Sequence, residues 1–215
     1  MPYRIVNAKI YSLMTTYNIT FASGGLRRNE TLLVAELYQD LGDWEAVRER
    51  VLAENLFQMR SKASIRRVFQ EIRGRLQTLT PAELNILLAG SPQDQDAVLW
   101  LALCKRSSFI RDFATEVLHE KFQRMEMELT YDDYDLFFYD KAEWHPELER
   151  VSESTHKKQR QNLFRIMREV GLISADNRIL PALLSPELTE AIRSDDPALF
   201  VIYPIPDYEI LSWTT

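Results

Sequence analysis

The sequence predicts a mainly α protein: an all-helical globular bundle carrying two helix-turn-helix elements, the second followed by a short β-hairpin in the manner of a wing. Three observations lead there. Along most of the 215 residues, apolar side chains recur at the spacing that lines one face of a helix. Six glycines and nine prolines are few, and the glycines fall mostly at the ends of periodic segments. A chain of this length with 46% hydrophobic residues buries a substantial core, as one large domain or two small ones.

Caps and stops set the elements in order. Asn29 caps "NETLLVAELYQDLG", which stops at Gly42. Asp43 caps "WEAVRERVLAENLFQM", where Trp44, Val47, Val51 and Leu52 share a face. Ser61 caps a third helix running to about Leu79, so only "MRS" separates it from the second. Thr80-Pro81 opens "PAELNILLAG", ended by Gly90 and Pro92. Residues 94 to about 127 are apolar early and amphipathic later, which gives one or two helices at the centre of the core. Thr130 caps "YDDYDLFFYDKA", with Asp132 and Asp133 at the positive end of the helix dipole. A helix near residues 146–151 follows, then a longer one from about Thr155 to Val170, stopped by Gly171. "LISADNRILPALL" reads as a hairpin around Asp176-Asn177. A helix over 186–193 and "ALFVIYPIP", an extended strand or packing arm, complete the chain.

These elements divide near residue 128. The N-terminal helical part, residues 1–128, holds the first helix-turn-helix at about 43–79. The C-terminal part, 129–215, holds the second at about 130–183 and an acidic tail, and the two form one compact unit. No internal repeat, low-complexity tract or flexible linker interrupts them.

Net charge is -6, yet the charge is segregated. Residues 126–149 hold nine acids against one base, Lys141. By contrast "RSKASIRRVFQEIRGR", residues 60–75, carries six basic side chains and one acid, Glu71. On a helix, Ile65, Val68, Phe69, Ile72 and Leu76 form one core-facing stripe. Lys62, Arg66 and Arg73 follow one edge of it, Arg67 lies further round, and Arg75 falls on the other side. Residues 154–168 hold five Lys or Arg and no acid. There Leu163, Ile166, Met167 and Val170 face inward, while Lys157, Lys158, Arg165 and Arg168 gather opposite, with Arg160 between. A helix after a short turn with a basic edge is the pattern that places side chains against a DNA duplex. The same pattern also describes a helix face that is simply solvated.

Catalytic constellations are thin. His119, His145 and His156 lack metal-ligand spacing. The single cysteine, Cys104, sits inside "LWLALCK" as a core residue and suits a reducing cytoplasm. "SGGLRR" lacks the Lys-Ser or Lys-Thr of a phosphate-binding loop and reads as a turn. Asp132, Asp133 and Asp135 share one helix start, whereas two-metal sites draw carboxylates from separate elements. Neither enzyme activity nor a cofactor is expected. The longest apolar run, "AVLWLALC", is too short for a bilayer, which needs about 20 residues. The N-terminal "MPYRIVNAKIYSLMTTYNITF" has no signal-peptide core or cleavage site, so a soluble cytoplasmic protein with no membrane contact is expected.

The block "DWEAVRERVLAENLFQMRSKASIRRVFQEIRGRLQTL" resembles the BrxA family of the bacteriophage exclusion (BREX) defence systems. The resemblance continues through "LWLALCKRSSFIRDFATEVLHEKF", "LTYDDYDLFFYDKAEWHPELE" and "SESTHKKQRQNLFRIMREVGLI", and covers about residues 17–188. It implies an all-helical, monomeric protein with helix-turn-helix elements associated with DNA binding. It implies work beside a DNA methyltransferase, ATPases and a phosphatase-like component in marking host DNA and blocking phage replication. No catalytic residue carries over. The expectation of contact with double-stranded DNA carries over to Lys62, Arg66, Arg67, Arg73, Lys157, Lys158, Arg165 and Arg168, each basic helix contributing independently. The alternatives are a protein–protein adaptor, using the acidic segments, and binding of structured RNA by shape. No aromatic-interleaved platform for single strands is present.

Overall fold

Side-chain caps begin most helices of the computed structural model, which describes residues 17, 19 and 25–214. The N-terminal stretch read for a signal peptide lies largely outside these residues. α1 (Arg28–Leu41) is an exception: it follows Arg27 in a left-handed conformation with no side-chain cap, so Asn29 lies inside the first turn rather than at the cap. Gly42, at φ 66°, ends it, and the Gly42 N–H donates to the Tyr38 carbonyl. α2 (Trp44–Ala53) is capped by Asp43, whose carboxylate accepts from the Ala46 N–H at 2.8 Å. α3 (Lys62–Leu76) starts at Ser61, whose hydroxyl accepts from the Ser64 N–H at 3.1 Å.

The connection between α2 and α3 departs from the expected tight turn. α2 stops at Ala53, and residues 54–61 link it to α3, with Asn55 and Gln58 both at positive φ. The reason is burial. Phe57 is buried, and the break turns its side chain into the core. The Asn55 side chain stabilises the break by accepting from the Met59 N–H at 3.0 Å. α1, α2 and α3 pack on one another as a three-helix unit.

α4 (Pro81–Ala89) opens with a reciprocal capping box between Thr80 and Glu83. α5 (Pro92–Arg106), capped by Ser91, is buried continuously from Val98 to Cys104 and so forms the core's centre. Ser107 breaks the chain before α6 (Ser108–Phe113), a π-helical stretch (Ala114–His119) and α7 (Glu120–Gln123), which run on without interruption. A second capping box, Thr130 with Asp133, starts α8 (Tyr131–Ala142). α9 (Pro146–Glu149) and α10 (Glu153–Glu169), capped by Ser152 rather than starting at Thr155, follow.

The expected wing is reduced to a turn. Around residues 174–177 only two isolated antiparallel bridges form, Ile173 with Ile179 and Glu128 with Arg178, and no strand is present among the described residues. Single bridges suffice because Leu172, Ile173 and Ile179 are all buried, so side-chain packing fixes the turn instead of a ladder. α11 (Pro186–Asp195) follows Ser185 as cap. The segment expected as a strand or arm begins as a 3-10 helix (Pro197–Ile202) and becomes extended through Tyr203 and Ile205, both buried. α12 (Asp207–Thr214) ends the described chain.

The C-terminal segment folds back over the N-terminal helices. α11 packs on α4, and the Trp100 indole N–H donates to the Ile202 carbonyl at 2.9 Å. The Tyr203 hydroxyl donates to the Ala97 carbonyl at 2.9 Å. Lys105 joins the buried Glu83, at 2.6 Å, to the exposed Asp195, at 2.7 Å, so one ion cluster ties α4, α5 and α11 together. His119 holds the Tyr203 carbonyl and the Asp207 carboxylate at 2.9 and 3.0 Å.

Within α3, Ile65, Val68, Phe69, Ile72 and Leu76 are all buried, as the stripe predicts. Phe69 is 0% exposed, so Phe69→Ala is expected to cost about 3–5 kcal/mol. Thermal or denaturant unfolding measures this directly. A loss within error would mean that the cavity collapses and that this face contributes little.

Candidate nucleic-acid interface

The inward rotation of α3 decides where its charges go. Lys62, Arg66 and Arg67 are exposed, and among the described residues none has a hydrogen-bond or ion-pair partner. Arg73 differs from them. It is half-buried, with its guanidinium 5.7 Å from the centre of the Trp44 ring, which in turn stacks on Tyr38 at 3.9 Å. A cation held against an indole is oriented, and less available to an outside phosphate. Arg75 is buried, ion-paired with Glu71 and donating to the Leu26 carbonyl at 3.2 Å. Burial pushes the Arg75 pKa down, and the adjacent Glu71 works against that shift.

One further cation joins this surface from another element. Arg106, exposed at the end of α5, lies over Gly74, and a Cβ there would approach its Nε to 3.1 Å. Gly74 follows Arg67 by two helical turns, so its missing side chain lets Arg106 lie on the same flank. Sequence reasoning missed Arg106 because the two residues are 32 positions apart and only helix packing joins them; the one signal was a glycine inside a helix.

α10 presents a different electrostatic picture. Of the residues expected inward, Leu163, Ile166 and Met167 are buried and Val170 half-buried, Phe164 is buried with them, and Lys157, Lys158 and Arg165 are exposed. Most of its cations are already engaged. Lys157 pairs with Glu153 at 2.6 Å. Arg160 pairs with Asp135 and lies over the Tyr131 ring at 4.5 Å. Arg165 sits between Glu169, at 3.7 Å, and Asn162, at 3.1 Å. Arg168, half-buried, donates to the Asn177 side-chain Oδ1 at 3.2 and 2.9 Å. Only Lys158 lacks a partner among the described residues.

The two basic helices approach at their C-terminal ends through one residue. The Leu26 carbonyl accepts from Arg75 of α3, and the Leu26 N–H donates to Glu169 of α10 at 3.0 Å. Gly25, at φ 79°, lets this segment pass under Arg165, where a Cβ would stand 3.0 Å from the guanidinium. From this junction α3 rises 1.5 Å per residue, so Lys62 lies roughly 20 Å away at the far end. The free cations of α3 are therefore removed from the acid at the junction.

The other candidate chemistries find structural roles. Asp133 belongs to the capping box, where burial opposes ionisation but the Thr130 bonds and Lys121 hold its carboxyl below the usual range. Asp135 faces Arg160 and His156, while Asp132 is exposed. His145 stacks on Tyr17 at 3.7 Å. Cys104 is fully buried, and burial pushes its thiol well above the ordinary value. Among the described residues no three His, Cys, Asp or Glu side chains converge as a metal site would require, and no helix is long and apolar enough to cross a membrane.

Comparison with known proteins places this geometry. The BREX protein BrxA of Escherichia coli O9:H4 (strain HS) is 27% identical over 171 residues, covering 79% of this chain and 80% of that one. The BREX protein BrxA of Paramagnetospirillum magneticum (strain ATCC 700264 / AMB-1) is 25% identical over 182 residues, covering 84% and 92%. The crystal structure of an uncharacterized protein from Magnetospirillum magneticum superposes with a TM-score of 0.73 at 24% identity, over 86% of this chain and 95% of that one. That likeness establishes a shared fold. The profile of the BrxA family matches residues 15–196, a span that takes in α1 to α11 and both basic helices, so the chain belongs to the BrxA family.

Proposed function

We propose that this protein is a non-enzymatic, double-stranded DNA-binding accessory component of a BREX-type phage-defence system. The observation that carries the reading is the group formed by Lys62, Arg66 and Arg67: exposed, without intramolecular partners among the described residues, on a helix whose other face is locked in the core. An exposed lysine or arginine that makes no internal ion pair keeps its attraction for phosphate, because no such pair has to break first. α3 is the third helix of a packed three-helix unit, the position from which a helix-turn-helix presents its recognition helix. Three phosphate contacts give weak sequence preference, since phosphates position a protein without specifying bases. Other BREX components, among them the methyltransferase and the ATPases, are the natural protein partners of a member of this family, which on its own is a monomer.

Salt dependence tests the phosphate reading. With about three contacts, the log of the association constant should fall with log salt at a slope of about -2.7. Fluorescence anisotropy with a labelled duplex across a salt series measures it. Binding that ignores salt overturns the phosphate reading, and an absence of binding at low salt favours an adaptor role. A double-stranded RNA competitor of equal length that displaces the duplex more effectively would favour structured RNA instead.

A further inference from the structure

The acidic stretch that the DNA reading leaves unused is organised into a surface. The Thr130 capping box fixes the start of α8, and its rotation follows from which residues are buried. Tyr134, Phe137 and Phe138 turn inward, where Phe109 meets all three rings at 5.1 to 5.9 Å. At 100° per residue, the opposite stripe then carries Asp132, Leu136, Tyr139, Asp140 and Glu143. Leu136 is 73% exposed and Tyr139 63% exposed, both near the most outward line of the helix. The inner edge of the Tyr139 ring meets Phe138 at 5.8 Å and His156 at 5.7 Å, yet most of the ring, like most of Leu136, faces outward, more apolar surface than this side of the helix needs for the core.

The charges around them are not neutralised. Asp132, Asp140 and Glu143 have no hydrogen-bond or ion-pair partner among the described residues. The bases nearby are engaged elsewhere: Lys141 with Glu116 at 2.6 Å and Asp112 at 3.5 Å, and Lys121 with Asp133 at 2.9 Å. We infer that the outer face of α8 docks a basic, amphipathic helical segment of another polypeptide. Charge complementarity selects the occupant. A nucleic acid is repelled by the three carboxylates. A partner helix with an apolar ridge between basic flanks covers Leu136 and Tyr139 and pairs with all three acids at once. Tyrosine is among the side chains that most often anchor such contacts. The inference stands independently of DNA binding, and it gives the molecule two faces of opposite charge.

The test uses the whole protein and a labelled helical peptide of leucine and lysine, with the leucines along one face. The peptide should bind saturably, and Leu136→Ser with Tyr139→Ser should weaken it by roughly tenfold or more, the loss of one anchor contact. A peptide of the same composition in scrambled order should bind the native protein no better than it binds the double-serine variant. Both substitutions lie on an exposed face, and unchanged thermal unfolding verifies the fold. Equal affinity for native and double-serine proteins overturns the inference, because undirected attraction to acid would then explain the binding. No binding of the leucine–lysine peptide overturns it as well. Concentration-dependent self-association in sedimentation, lost in the double-serine variant, also overturns the stated occupant in favour of a second copy of this chain.

Discussion

Arg66→Glu with Arg67→Glu should weaken duplex binding by more than a hundredfold while leaving thermal unfolding unchanged. Each side chain is exposed and unpaired among the described residues, so reversing it removes a charge-assisted contact without breaking an internal one. Two such contacts at about 1.5–3 kcal/mol each give at least 3 kcal/mol, and the new carboxylates add repulsion. The apolar stripe is untouched, so the fold survives. The matched reversal on α10, Lys157→Glu with Arg165→Glu, should cost much less. Lys157 already faces Glu153, and Arg165 already faces Glu169, so each must give up an acid before it meets a phosphate. The sequence suggested equal and independent contributions from the two helices; the ion pairs of α10 are the reason to expect unequal losses. Titration of both folded variants with the same duplex decides. Equal losses would place the duplex across both helices, and no loss from the first pair would return α3 to a merely solvated face.

Trp100→Ala should be the most damaging single substitution in the core. Trp100 is 0% exposed at the middle of α5, and its indole N–H satisfies the Ile202 carbonyl of the C-terminal segment. Removing the side chain leaves a cavity, at about 3–5 kcal/mol for a buried Trp. It also strands a carbonyl in the interior, at about 1–3 kcal/mol. The sum is comparable with the whole stability of a typical domain, about 5–15 kcal/mol. Denaturant unfolding should show the midpoint collapsing toward zero. Trp100→Phe, which keeps most of the volume, should recover the larger share, and the remaining deficit would measure the hydrogen bond. A mild effect of Trp100→Ala would show that the C-terminal segment docks without this tie.

Local chemistry made much of the fold legible. Asp43, Ser61, Thr80 and Thr130 each cap the helix the sequence assigned to them, because a cap needs only a side-chain oxygen and an amide a few residues on. The buried stripe of α3 was equally readable, since helical periodicity is a property of consecutive residues. The errors lie where distant residues compete with local preference. α2 looked continuous to Gln58, yet the chain breaks at residue 54 so that Phe57 can enter the core. "ALFVIYPIP" read as an extended strand or a packing arm; it packs on the core, but among the described residues no neighbouring strand pairs with it, and its first half closes local hydrogen bonds as a 3-10 helix.

The charge pattern divides in the same way. Sequence alone determined that two segments are rich in bases and one in acids, and on which side of each helix those charges fall, because composition and a 100° step require nothing beyond the chain order. Only the tertiary structure decided which charges remain available. Arg73 and Arg67 both belong to α3, but Trp44 lies against the first and no partner among the described residues meets the second. Lys157 and Lys158 are neighbours, but Glu153 reaches only the first. Arg106 joins Gly74 across 32 positions of sequence. Availability is set by whichever groups come within a few ångströms, and folding brings together residues whose distance along the chain says nothing of their distance in space.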